Sequence, residues 1–166
     1  MLKWAMTKME RSLVLIKPDA IQRGLIGDII SRFEKKGLKL VAIKMLQMDD
    51  GTLKKWYHQY AEAPFFPMIA KYMKWTPIVA MIWEGYSAVD LIRRIIGTRK
   101  GYEAEAGSIR GDFGMSGGNN LVHASDSLEN VQREIGIIFS EKEIHEYQTT
   151  MDQLVYSEEE LGGEFR

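Results

Sequence analysis

Apolar positions along the chain cluster into blocks whose spacing alternates between two periods. Residues 12–17 read as a strand, because Leu13, Val14, Leu15 and Ile16 are continuously apolar and imply cover on both faces. Pro18 ends it, having no N–H for a ladder. Residues 24–36 read as a helix, with Ile26, Ile29, Ile30 and Phe33 on one stripe, basic Lys35 and Lys36 in the last turn and Gly37 as the stop. A second strand spans 38–48, with Val41, Ile43 and Met45 on one face. Two short helices, 52–60 and 67–74, are parted by Ala63-Pro64-Phe65-Phe66-Pro67. Residues 78–83 form a third, wholly apolar strand. Residues 87–96 form a helix faced by Ala88, Leu91, Ile92 and Ile95 and stopped by Gly97.

The next stretch breaks the pattern. Residues 97–118 hold seven glycines and no sustained period. A structureless loop of that length is uncommon in a compact domain and is usually functional or disordered. A short fourth strand follows at 119–123. Then comes a helix marked by Leu128, Val131, Ile135 and Ile138, whose start is signalled by Asp126 with Glu129 three residues on. Residues 1–10 read as a polar preface, 140–156 as irregular, and 157–166 as a polar tail.

With the inserted helix pair set aside, the order is β-α-β-β-α-β plus a final helix. That is the ferredoxin-like arrangement of the α+β class: an antiparallel sheet with helices on one face. A doubly wound parallel sheet is the alternative. A single domain over 1–166 fits the length.

Composition narrows the function. The chain has 22 basic and 23 acidic residues and a formal net charge of −1, which argues against a dedicated nucleic-acid partner. It has no cysteine, so disulfides and thiolate metal sites are excluded, and three histidines leave little for a histidine-built zinc site. No apolar run approaches the ~20 residues of a membrane helix, and no signal-like region opens the chain. A cytoplasmic protein is expected.

Two short matches mislead. Val41-Ala42-Ile43-Lys44 and Asp112-Phe113-Gly114 occur in protein kinases, but the catalytic-loop His-Arg-Asp and the glycine-rich loop ahead of the lysine are absent. Neither a Walker A loop nor a dinucleotide Gly-x-Gly-x-x-Gly is present.

The chemistry concentrates in Asn119-Asn120-Leu121-Val122-His123-Ala124-Ser125-Asp126-Ser127. A histidine there ends a strand just before a helix N-terminus, where unpaired N–H groups favour anions. Ser125 and Asp126 are polar neighbours. An imidazole keeps a free lone pair over much of the neutral range, and a group that fixes the ring makes it a better nucleophile. Glu134, on the following helix, is placed to do so. Lys17, Arg93 and Arg110 are each unremarkable as solvated charges. Together with His123 they would cradle a phosphate if the fold sets residues 17 and 123 side by side. His58 and His145 lack such surroundings.

At these residues the sequence resembles nucleoside diphosphate kinases over roughly 10–156. The resemblance is carried by Ile16-Lys17-Pro18-Asp19-Ala20, Gln22-Arg23-Gly24-Leu25-Ile26-Gly27, Pro64-Phe65-Phe66, Trp83-Glu84-Gly85, Gly107-Ser108-Ile109-Arg110-Gly111-Asp112-Phe113 and Asn120-x-x-His123-Ala124-Ser125-Asp126. It implies ping-pong transfer of a terminal phosphate from a nucleoside triphosphate to a nucleoside diphosphate through a phosphohistidine on His123. Lys17, Tyr57, Arg93 and Arg110 would contact phosphates or support the nucleophile, Asn120 and Lys17 would reach the sugar hydroxyl, and Phe65 would stack on the base. Ser125 and Glu134 would hold the histidine. Mg2+ would bridge the nucleotide phosphates, with no protein metal cage. Base specificity would be broad, because stacking tolerates any base. A homo-oligomer, hexamer or tetramer, is implied, and Trp4, Met73 and Trp75 are candidates for either interface or core.

One departure stands out. The family usually has a threonine, then Asn-Pro, two places after the glycine matching Gly97. Here the run is Gly97-Thr98-Arg99-Lys100-Gly101-Tyr102, so Arg99 occupies the threonine's place and Thr98 is one place early. The competing reading of the whole chain is a ferredoxin-like regulatory domain that binds nucleotides without turnover.

Overall fold

The computed structural model describes residues 9–161. Four strands, β1 (Met9–Ile16), β2 (Lys39–Leu46), β3 (Ile78–Tyr86) and β4 (Val122–Ala124), form one sheet in the order β2-β3-β1-β4. Every pairing is antiparallel. This is the expected ferredoxin-like arrangement, and the parallel alternative is excluded. The helices are α1 (Pro18–Gln22), α2 (Ile26–Lys35), α3 (Asp50–Trp56), α4 (Phe66–Met73), α5 (Ala88–Ile96), α6 (Ile109–Phe113), α7 (Leu128–Ile138) and α8 (Asp152–Val155).

The apolar runs of β1 and β3 are explained by helices on both faces, as the continuous run of β1 implies; the placing of the helices on one face alone is corrected. Val14, Ile16, Val79, Met81 and Trp83 pack under Ile29 and Phe33 of α2 and Ile92 of α5. Leu13, Leu15, Ile78, Ala80 and Ile82 pack on the other face under Leu53 and Trp56 of α3, Ala70 and Met73 of α4, and Ile138 of α7. The inserted pair and the last helix thus supply a second core layer, and each large apolar side chain fully buried there contributes about 1.5–3 kcal/mol.

Other expectations shift in detail. The helix read over 24–36 begins at Ile26, and a separate turn of helix, α1, precedes it, with Pro18 tolerated at its first position. In β2 a register shift between Leu40 and Ala42 breaks the face-sharing of Val41, Ile43 and Met45. Val41 is buried, whereas Ile43 and Met45 are about half exposed. The segment 97–118 is not structureless. A 3-10 turn at Gly101–Glu103 and the helix α6 fold it against the sheet's end. Its glycines allow close backbone approach: a Cβ on Gly101 would fall 2.3 Å from the Gly114 carbonyl carbon. Met73 is core and Trp75 is surface, while Trp4 lies outside the described residues. Lys44 pairs with Glu143 at 2.7 Å, on a different element from Asp112. No helix among the described residues is long and apolar enough to cross a membrane.

Candidate active site

The pairing of β1 with β4 sets Leu15 opposite His123. It thereby brings the end of β1, with Lys17, beside the histidine. Just before β4, Leu121 adopts a left-handed backbone (φ 69°), a conformation costing a branched residue about 1 kcal/mol or more. Two bonds hold it there. Its N–H donates to Asp19 Oδ2 at 3.0 Å, and its carbonyl accepts from the Lys17 N–H at 2.8 Å. Asp19 is buried, and its other oxygen accepts from the Tyr72 hydroxyl at 2.5 Å. Asp19 and Tyr72 are positioning residues that the sequence reading missed. The available signal was an acid directly after Lys17-Pro18, at the start of a helix.

Behind the ring, His123 Nε2 lies 2.9 Å from Glu134 Oε2, which also accepts from the Ser125 hydroxyl at 2.6 Å. Arg133 approaches the other carboxylate oxygen at 3.4 Å. A carboxylate can only accept, so Nε2 carries the proton and the lone pair resides on Nδ1. Trp56 packs edge-on against the ring at 5.2 Å. The cap of α7 is Ser127, whose hydroxyl accepts from the Asn130 N–H, and not Asp126 as the spacing suggested. Asp126 instead accepts from the Asn130 side chain at 2.6 Å, which holds its carboxyl below the usual range.

In front of the ring is a cavity of about 790 Å³, lined by His123 with Lys17, Tyr57, Phe65, Arg93, Thr98, Arg99, Arg110 and Asn120. All the sequence candidates for nucleotide contact therefore meet in one place, and Ser125 and Glu134 stand behind the histidine. The α7 N-terminus does not line this cavity, so its positive character comes from side chains. Burial pulls the Lys17 ammonium down to about 8, and the nearby Arg110 and Arg99 add to this while Asp19 opposes it. Its Nζ donates to Asn120 Oδ1 at 2.5 Å. The Asn120 amide in turn donates to the carbonyls of Arg99 (3.1 Å) and Gly117 (3.2 Å). Arg110 is buried and donates to the carbonyls of Asn120 (3.0 Å), Gly97 (2.9 Å) and Val122 (2.7 Å), tying the glycine-rich segment to β4. Three of its five N–H donors are thus committed. Burial, with Arg93 and Arg99 nearby, lowers it to about 10. Burial, aided by Glu134, raises the Tyr57 phenol to about 12, so it remains a hydroxyl donor. Phe65 lies half exposed at the mouth, against Tyr60 at 5.6 Å; Tyr60, also a wall of the cavity, carried no distinguishing signal in the sequence.

No group of three or more His, Asp or Glu side chains among the described residues could hold a metal ion. A cationic cavity with a single carboxylate, Asp126, suits a cation that arrives already bound to phosphate oxygens.

Comparison with known proteins agrees with this geometry. Residues 10–144 match the nucleoside diphosphate kinase family. The chain is 52% identical to the mitochondrial nucleoside diphosphate kinase of Columba livia over 81% of its length and 75% of the relative's. It is 47% identical to the Pyrococcus horikoshii enzyme, covering 89% and 96%. Among solved structures, the Halobacterium salinarum nucleoside diphosphate kinase in complex with CDP superposes with a TM-score of 0.86 at 37% identity, covering 90% of this chain and all of that one. The Aquifex aeolicus enzyme gives 0.80 at 39%, covering 83% and 100%. Sequence, sheet order and site thus converge, and the chain belongs to the nucleoside diphosphate kinase family, enzymes that pass phosphate between nucleotides.

Proposed function

We propose that His123 Nδ1 is the atom that carries the phosphate between nucleotides. The observation behind this is the Nε2–Glu134 hydrogen bond, which leaves Nδ1 as the basic nitrogen of a ring that walls a cationic cavity. In the first half-reaction the Nδ1 lone pair forms a bond to the terminal phosphorus of a nucleoside triphosphate. The bond from that phosphorus to the bridging oxygen breaks, and the nucleoside diphosphate leaves with the electron pair. The ring gains positive charge and keeps its Nε2 proton, and the Glu134 carboxylate offsets that charge. In the second half-reaction a terminal oxygen of another nucleoside diphosphate attacks the phosphorus and the N–P bond breaks, restoring the neutral ring. No net proton transfer is required.

Lys17, Arg93, Arg99 and Arg110 face the charge on the phosphate oxygens, which is the main catalytic demand of phosphoryl transfer. Tyr57 donates a hydroxyl to the same region. Asn120 and Lys17, already bonded to each other, serve the sugar. Phe65 offers a ring face to the base and accepts purines and pyrimidines alike. Mg2+ carried on the nucleotide would screen its phosphates, beside the cavity's Lys17, Arg93, Arg99 and Arg110. The chain acts as a homo-oligomer, a hexamer or tetramer, with the half-exposed Ile43 and Met45 on the outer strand β2 as apolar surface available to another copy.

The test is incubation with γ-labelled ATP. Wild type acquires acid-labile phosphate and yields it to any nucleoside diphosphate. His123→Ala acquires none, and its transfer rate falls at least ~10³-fold. Wild type that binds nucleotide yet takes up no label would be a regulatory nucleotide binder instead.

A further inference from the structure

Arg99, in the run that departs from the family pattern, has a definite setting in the structure. Its backbone carbonyl accepts from the Asn120 amide, anchoring it beside Lys17. Its side chain lines the cavity and reaches the Gly117 carbonyl only at 3.4 Å. Among the described residues no carboxylate lies within ion-pair distance of Lys17, Arg93, Arg99 or Arg110, although seven other lysine and arginine side chains have such a partner. The cavity therefore carries four cationic side chains against one carboxylate, Asp126. The cations also repel one another: Arg99 helps depress both Lys17 and Arg110, after burial, which is the larger cause for each. An anion relieves that repulsion in proportion to its charge.

A free nucleoside diphosphate brings roughly three negative charges, and its Mg2+ complex only about one. A threonine at position 99 would leave three cations and give the advantage to the metal complex. A fourth, unpaired guanidinium offsets that advantage, because its bidentate donors can bind phosphate oxygens that Mg2+ would otherwise hold.

We propose that Arg99 is a specificity-determining phosphate ligand that takes over part of the charge-neutralising role of Mg2+, so that this pocket holds metal-free nucleoside phosphates as well as their Mg2+ complexes. The inference rests on the reading of the cavity as the phosphate site.

Calorimetric titration of the full chain with ADP, in excess Mg2+ and in EDTA, tests it for wild type, Arg99→Thr and Arg99→Lys. Wild type binds ADP in EDTA at least as tightly as in Mg2+. Arg99→Thr loses about tenfold in EDTA but less than about threefold in Mg2+, so it comes to prefer the metal complex. Arg99→Lys restores much of the EDTA affinity, which a purely steric role for the side chain would not do. The exposed position of Arg99 keeps the fold intact, and circular dichroism of each variant checks this. Equal losses in both conditions, or no loss, overturn the proposal while leaving the phosphate site standing. Failure of wild type to bind ADP in either condition overturns both.

Discussion

The two sides of the His123 ring are built on opposite principles. Behind it, donors and acceptors are satisfied: Glu134 accepts from both Nε2 and the Ser125 hydroxyl. In front of it, Phe65, Arg93 and Arg99 are exposed and lack strong protein partners. The satisfied side fixes a tautomer and an orientation, quantities that act on the chemical step. The unsatisfied side awaits charge and a flat ring from the ligand, quantities that act on binding. Changes behind the ring should therefore appear in kcat or in folding, and changes in front in KM and in salt or metal dependence.

The sharpest way to break this division is Glu134→Ala. It removes the partner of Nε2 and frees the other tautomer, so kcat falls about 100-fold with little change in KM. Glu134→Gln recovers part of the loss, since an amide oxygen still accepts from Nε2 but carries no charge. A large KM effect from either would erase the distinction between the two sides. Arg110→Met sits at the seam, and it strands the carbonyls of half-buried Gly97 and of buried Asn120 and Val122. Stability falls by about 3 kcal/mol, read from the urea midpoint, before any effect on binding.

Lys17 tests the front side by pH. Its ammonium is held down to about 8, so the charged form is present below that pH and lost above it. The kcat/KM should be level up to about pH 8 and then fall up to tenfold per unit, since this ratio reports the free enzyme. Lys17→Arg, charged throughout, removes the inflection even where it lowers the plateau. Bound nucleotide favours the charged form, so kcat alone inflects at higher pH than kcat/KM.

The same division separates what the sequence discloses from what it hides. Period and composition were enough for the strands, for helices α2, α5 and α7, and for the nearness of residues 17 and 123, because a buried apolar face writes its own spacing. The residues around His123 were legible as a motif. The apolar run of β1 discloses cover on both faces but not its source, because the inserted pair reads as an appendage until Leu53, Trp56 and Met73 are seen against Leu13 and Leu15. Asp19 and Tyr72 were missed because their role is to hold the backbone of Leu121, a hundred residues along the chain from Asp19. No local pattern encodes a bond of that range. The segment 97–118 looked unstructured because its order comes from glycine-mediated backbone contacts, which leave no apolar period.

The gentlest of these tests concerns Phe65. Its ring is about half exposed and already leans on Tyr60, so a base gains one face of contact and does not enter an enclosed slot. A stacked base is worth about 1–3 kcal/mol, and the open geometry favours the lower end. Phe65→Ala should therefore raise KM about fivefold and leave kcat nearly unchanged. Because the ring recognises a π face and no hydrogen-bonding edge, that factor should be the same within about twofold for adenine, guanine, cytosine and uracil diphosphates. A penalty confined to one base would mean that some polar group at the cavity mouth reads base edges, and the front side would then be a selective surface, contrary to the tolerance proposed for it.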